Sequence, residues 1–271
     1  MDLIEIESPD DPRIRAYTGL TDERLRRWRE SPDGDLAGIF MCEGTKVTER
    51  ALEVGLEPVS VFVAGDMLDR LPELPDRIPV YLGSPEVVEA VTGFRFHRGF
   101  VAAFRRPPAV DAEEIVAGAR RVLVTENVTN PTNLGVMVRS AAALGFDALL
   151  GDPTSCDPLY RRVVRVSMGT VFSLPHGRLP AFPSGLRLLS NHGFELVGLS
   201  PDPSAPTIGS TDFADRVALV LGAEGSGLSP DTRAVLDRVV RIPMRSGIDS
   251  LNVGAAAAIA AYVVGGLDLR G

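Results

Sequence analysis

Histidine, cysteine and lysine are nearly absent from this chain of 271 residues, which holds three histidines, two cysteines and a single lysine, Lys46. Cys42 and Cys156 stand far apart, no Cys-x-x-Cys occurs, and His97, His176 and His192 are scattered, so neither a disulfide framework nor a zinc centre organises the fold. No metal is expected, and both cysteines read as buried thiols. No stretch approaches the roughly 20 consecutive apolar residues of a membrane span. The opening Met-Asp-Leu-Ile-Glu-Ile-Glu is acidic where a secretory leader is basic, so no membrane partner and a cytoplasmic location are expected. Common catalytic signatures are missing too. Glu126-Asn-Val-Thr-Asn-Pro, after the first strand of the C-terminal half, carries no glycine, which excludes a Gly-x-Gly-x-x-Gly dinucleotide turn. There is no Walker loop. Ser226 lacks the glycine two positions earlier that a nucleophile elbow needs, and the histidines have no evident triad partners.

What is present describes a globular enzyme-sized chain. Hydrophobic residues make up 45% and charged residues 24%, enough for extended cores. The length favours two domains. A net charge of −8 argues against coating nucleic acid through bulk electrostatics, yet the arginines are clustered. Arg13 and Arg15, then Arg24, Arg26, Arg27 and Arg29, then Arg95, Arg98, Arg105 and Arg106, and finally Arg161, Arg162 and Arg165 offer local basic faces. The last group falls in a short helix read as part of the C-terminal domain.

The paired prolines of Phe104-Arg-Arg-Pro-Pro stop any regular element and divide the chain into residues 1–106, a linker at 107–118 and residues 119–271. The first part reads as a small α/β layer. Helices are expected at Thr21 to Arg29, Gly44 to Val54 and Pro85 to Ala90, with strands at Val59 to Ala64, Ile78 to Leu82 and Gly99 to Ala103. The last part alternates regularly. Strands at Arg121 to Glu126, Ala148 to Leu150, Val171 to Leu174, Glu195 to Leu199, Val217 to Leu221 and Val239 to Ile242 are interleaved with helices at Asn133 to Leu144, Leu159 to Met168 and Leu186 to Asn191, and Asn252 to Val264 closes the chain. This is the pattern of a mostly parallel sheet covered on both faces.

Such sheets bind ligands beyond the carboxyl ends of their strands, and three loops qualify. The first, Glu126 to Gly135, leads into a helix carrying Arg139. Asn133 stands at or near its N-cap, while Arg139, with Val136 and Ala143 at helical spacing, reads as a cation on a packed face. The second is Leu221-Gly-Ala-Glu-Gly-Ser-Gly-Leu-Ser, whose glycines 222, 225 and 227 let a ligand approach the backbone; Glu224 has no partner at local spacing. The third, Ile242-Pro-Met to Ser250-Leu-Asn252, ends on two polar residues that can cap the final helix or serve a ligand, and the sequence leaves both roles open.

Asn133-x-Gly135-x3-Arg139, Leu221-Gly-Ala-Glu224-Gly-x-Gly-Leu228 and Ile242-Pro-Met-x5-Ser250-Leu-Asn-Val together resemble, in order, the three motifs of the SpoU (TrmH) group of RNA ribose 2′-O-methyltransferases. The resemblance implies an α/β C-terminal domain with a mostly parallel sheet and a deep trefoil knot, an exception to the rule that chains do not thread themselves. Phe40-Met-Cys-Glu43-Gly44-x-Lys46 is similar to the ribosomal-protein-like α/β substrate-binding domain of such enzymes. By that likeness the cofactor is S-adenosylmethionine, contacted by Gly222, Ile242 and Leu251 and lined by Leu199, Ala223 and Met244. Arg139 acts at the reaction centre, with Asn133, Glu224, Ser250 and Asn252 positioning it and the sugar. Arg165 lies where related enzymes place a catalytic-site arginine. The family pairs as homodimers through the helix after the first motif and the final helix. The implied substrate is ribosomal RNA, with a tRNA ribose methyltransferase and a non-catalytic RNA-binding protein of the same fold as the alternatives.

Overall fold

The computed structural model describes residues 2–21, 29–30, 34–94 and 99–265. By its contacts the chain divides into two compact units, Met1–Pro108 with Leu159–Phe172, and Ala109–Pro158 with Ser173–Gly271. No helix among the described residues is long and apolar enough to cross a membrane.

The first unit is built on a five-stranded sheet of order β1-β4-β3-β5-β2, formed by Asp2–Ile6 (β1), Ile39–Glu43 (β2), Pro58–Ala64 (β3), Pro79–Gly83 (β4) and Phe100–Arg105 (β5). β1, β4 and β3 run parallel, and β5 pairs antiparallel with both β3 and β2. β2 and β5 are buried along nearly their whole length, which makes their apolar runs continuous instead of alternating. Helix α1 (Thr45–Glu53) starts after Gly44, whose φ of 83° suits glycine. Helix α2 (Pro85–Thr92) is capped by Ser84, which accepts a hydrogen bond from the Val87 amide at 3.3 Å, and it ends at the left-handed Gly93. Ile14, Tyr17, Leu20, Met41, Phe62 and Val101 share one core, where the buried Tyr17 hydroxyl is matched by Ser60 Oγ at 2.7 Å. The helix expected at Thr21 to Arg29 lies mostly outside the described residues.

A segment assigned to the C-terminal domain on sequence belongs to this first unit. Helix α3 (Arg161–Val166) carries Arg161 and Arg165 four residues apart on one side, and both reach the buried Glu43 carboxylate at the end of β2. Arg161 Nη1 donates to Glu43 Oε2 at 2.7 Å, the Arg161 amide donates to Glu30 Oε1 at 3.0 Å, and the guanidinium lies 4.9 Å from the Phe94 ring centroid. Arg161 is 3% exposed, so it is no part of a basic surface. Removing one partner from a buried pair of this kind costs about 3–5 kcal/mol, because the other charge is left stranded. The strand expected at Val171 to Leu174 is also corrected. Met168 and Gly169 take φ values of 56° and 79°, turning the chain into a 3-10 turn at Thr170–Ser173.

The second unit is a six-stranded, wholly parallel sheet of order β11-β9-β10-β6-β7-β8. Its strands are Arg121–Thr125 (β6), Ala148–Gly151 (β7), His176–Arg178 (β8), Glu195–Leu199 (β9), Val217–Leu221 (β10) and Arg238–Val240 (β11). The expected linker is partly helical. Asp111 caps helix α4 (Ala112–Gly118), and Ala112, Ile115 and Val116 enter the core with Val122, Val124, Leu150 and Leu196. Helices α5 (Pro131–Ala143), α6 (Leu186–Asn191), α7 (Pro230–Val235) and α8 (Val253–Val264) complete the unit, with α5 and α8 packed together. One row of residues runs in register across four strands, Leu221 beside Thr125, Thr125 beside Gly151, and Gly151 beside Arg178. Neighbours in such a row project from the same face.

Candidate active site

Three residues separated widely in sequence meet through their side chains at the carboxyl edge of the second unit's sheet. Asn252 is the N-cap of α8, and its Oδ1 accepts from the Gly254 and Ala255 amides at 3.0 and 3.2 Å. That fixes the amide's orientation, because only the oxygen can accept. Its Nδ2 is thereby turned toward acceptors, and it donates to Asn133 Oδ1 at 2.9 Å and Glu224 Oε1 at 3.1 Å. Asn133 Nδ2 closes the triangle on Glu224 Oε2 at 2.8 Å. Glu224 thus has the partners that local spacing did not supply, 91 and 28 positions away. The cap of α5 is Asn130, accepting from the Thr132 amide at 2.9 Å, with Pro131 opening the helix. Asn133 is therefore no cap: it is 6% exposed and committed to the network.

Beside the triangle lies a cavity of about 230 Å³ formed by the ends of β9 and β10, the glycine loop, and the stretch from Ile242 to Asn252. All six residues expected to hold the cofactor, Leu199, Gly222, Ala223, Ile242, Met244 and Leu251, line it, as do Glu224, Ser250 and Asn252. The glycine loop is a tight reversal in which the Gly227 amide donates to the Ala223 carbonyl at 2.9 Å. A Cβ on Gly222 would stand 2.2 Å from the Gly227 carbonyl carbon and oxygen, so the reversal closes only over glycine. Gly225 and Gly227, at φ 90° and 66°, leave open space where a side chain would project. A wall of main-chain donors and acceptors with Leu, Ile and Met side chains suits a purine and a thioether-like chain, and S-adenosylmethionine fits that donor set without any metal ligand. No group of His, Cys, Asp and Glu that could hold a metal occurs among the described residues.

Residues behind this wall set its shape. Glu126, 9% exposed, accepts from the Ser229 amide at 3.0 Å and the Thr232 hydroxyl at 2.9 Å, pinning the end of the glycine loop and the start of α7 to the end of β6. Arg233 Nη2 donates to Ser200 Oγ at 2.9 Å in the cavity wall. Asp152 gathers the Asn127 and Ser155 amides at 3.0 and 2.8 Å and the Thr154 hydroxyl, joining the loops after β6 and β7. Burial alone would raise its carboxyl, but the hydrogen bonds from Ser155, Thr154 and the Asn127 backbone outweigh it and hold the group below the ordinary carboxylate range. Glu126 and Ser200 were legible only as polar residues immediately following apolar strands.

The remaining candidates stand apart from the triangle. Ser250 lines the cavity, and its hydroxyl has no hydrogen-bond partner among the described residues. Arg139 is exposed and not on a packed face, six positions along α5 from Asn133, a rise of about 9 Å. It makes no hydrogen bond or ion pair among the described residues. Arg165 is engaged by Glu43 at 3.3 Å in the first unit.

A parallel α/β sheet carrying a glycine-walled cavity and a polar triangle at its carboxyl edge defines a cofactor-binding enzyme domain. Residues 120–262 match the SpoU rRNA methylase family. The chain is 38% identical over 270 residues to an uncharacterised tRNA/rRNA methyltransferase of Mycobacterium bovis, covering 97% of this chain and 91% of that one. It is 29% identical over 260 residues to the 23S rRNA (guanosine(2553)-2′-O)-methyltransferase RlmP of Bacillus subtilis, covering 95% and 98%. The SpoU methyltransferase AviRb from Streptomyces viridochromogenes, solved in complex with the cofactor AdoMet, superimposes with a TM-score of 0.72 at 25% identity, covering 92% of this chain and 94% of that one. The chain belongs to the SpoU rRNA methylase family.

Proposed function

We propose that the protein transfers a methyl group from S-adenosylmethionine to a ribose 2′-hydroxyl of ribosomal RNA, working in the cytoplasm as a homodimer. The observation that carries this reading is the Asn133–Glu224–Asn252 triangle at the rim of the glycine-walled cavity. When bound, S-adenosylmethionine supplies an activated methyl group. The triangle fixes a carboxylate and two amides at the cavity mouth, where they orient the ribose so that its 2′-oxygen lies in line with the methyl carbon. An O–CH3 bond forms as the S–CH3 bond breaks, and the hydroxyl proton passes to water or an RNA phosphate. A guanidinium stays protonated at neutral pH, so Arg139 acts as a clamp on phosphate or on the developing alkoxide and not as the base.

The homodimer rests on an uncovered face. On α8, Ile259, Tyr262 and Val263 are 41%, 60% and 37% exposed, and on the adjoining α5 Val136, Arg139, Ser140 and Ala143 share one side. Apolar side chains grouped in this way mark an association surface. A second copy laid on it buries them and turns Arg139 toward the partner subunit. The trefoil knot belongs to the same reading. Ribosomal RNA is favoured over tRNA by the substrate in the RlmP name, a relative that covers both units of this chain.

Purified protein with isotopically labelled S-adenosylmethionine and total RNA from a strain lacking the gene provides the test. Label on a ribose oxygen of ribosomal RNA is expected. Label on a base overturns the reaction, and label confined to tRNA overturns the substrate.

A further inference from the structure

The in-register row Leu221, Thr125, Gly151 and Arg178 begins in the cavity wall and ends on an exposed cation. With strands spaced about 4.8 Å apart, the backbone of Arg178 lies about 14 Å from that of Leu221, along the same edge of the same sheet. In-register neighbours share a face, so the side chains of Leu221, Thr125 and Arg178 leave the sheet on the same side.

The surroundings of Arg178 hold it ready for an anion. Its Nη1 donates to the Asp152 carbonyl at 2.8 Å, which orients the guanidinium without neutralising it. Among the described residues no carboxylate pairs with it. The neighbouring Asp152 carboxylate is already occupied by Asn127, Thr154 and Ser155. Arg13, Arg29, Arg105, Arg161, Arg165 and Arg238, by contrast, are each bound to a carboxylate. The space over Gly151 is polar on both sides. A Cβ there would stand 3.5 Å from the Thr125 hydroxyl and 3.9 Å from Arg178 Nη1, and that hydroxyl, buried on a residue 1% exposed, has no protein partner among the described residues.

We propose that Arg178 is a substrate-positioning residue that grips a backbone phosphate of the RNA a few nucleotides from the ribose presented at the cavity. The proposal rests on RNA being the substrate. A planar guanidinium with free N–H groups matches phosphate oxygens, and such contacts fix the register of a nucleic acid without reading its sequence. The span between Leu221 and Arg178 lets the chain run along the sheet edge instead of plunging into the unit. An acidic protein meets RNA in this scheme through a few unneutralised cations at fixed places.

The test measures retention of total bacterial RNA by the full-length protein across a salt series, alongside S-adenosylmethionine affinity by calorimetry. Each phosphate contact adds about 0.7 to 0.9 to the slope of log affinity against log salt. Arg178→Ala is expected to lower that slope by one such increment and to raise the KM for RNA, with cofactor affinity and kcat at saturating RNA unchanged. Arg178→Lys, which keeps the charge, restores the slope. An unchanged slope in Arg178→Ala overturns the proposal, as does a slope lost equally in Arg178→Lys, which would mark the bond to Asp152 as merely structural. The reaction is read separately: a wild-type protein that holds RNA but methylates no ribose refutes the methyltransferase reading, while the salt slopes still decide Arg178.

Discussion

Asn252 performs two tasks with the two ends of one amide, and a single substitution separates them. Its oxygen caps α8, while its nitrogen donates to Asn133 and Glu224. Asn252→Asp keeps an N-cap oxygen, where the negative charge also suits the helix terminus, so the thermal midpoint should stay close to wild type. The same change replaces the donor with a second carboxylate facing Glu224 across a contact now 3.1 Å long. Turnover should fall by about two orders of magnitude, the usual cost of losing a preorganised polar contact at a reaction centre. Scanning calorimetry with single-turnover methylation decides between the roles: a stable, fully active variant would reduce Asn252 to a cap. On sequence, capping and catalysis coincided at this residue because both require the same side chain at the same helix start. The structure distinguishes them because each amide atom has its own partners.

Among the elements, the loops after β6 and β7 depend on Asp152, and that dependence has a pH signature. Its carboxyl is depressed in the folded protein, so its contribution to stability is present above the unfolded value and is lost as pH falls through the folded one. The melting temperature of Asp152→Asn should lie furthest below wild type near neutral pH, and the two should converge as pH drops below about 4. A gap that persisted unchanged into acid would show that the carboxylate's charge is immaterial. Much of this level was legible in the sequence. β6 and β10, which end in the first two candidate loops, hold continuous apolar runs, and glycines at 222, 225 and 227 announced a backbone-walled turn. Other features could not be read. Arg139 has apolar residues at helical spacing, but periodicity does not say whether the side so defined is covered, and here that side is exposed. Val171 and Leu174 are buried in a turn, which gives the same apolar signature as a strand. The carboxyl-edge Arg178 escaped notice because the true strand, β8, is only three residues long.

For the whole molecule, the exposed face shared by α5 and α8 predicts a composite active centre. If Arg139 serves the site of the partner subunit, two inactive variants should complement each other. Arg139→Ala and Asn133→Ala, co-expressed with different tags and isolated as the heterodimer, should regain about half the wild-type activity, since one of two sites then has both residues intact. No recovery in a folded heterodimer would place Arg139 and Asn133 in the same chain's site. The division of the chain bears on a different matter, the order of synthesis. The first unit needs Leu159–Phe172, and Glu43 meets Arg161 118 positions later. Domains commonly fold as they leave the ribosome, amino-terminal part first. Here the amino-terminal unit emerges with a buried carboxylate still unmatched, and it must wait until Ala109–Pro158 of the second unit has been translated before its own last helix arrives. Its completion is thereby tied to the growth of the domain that holds the active site, and a nascent chain that stops short of Leu159 carries neither unit in finished form.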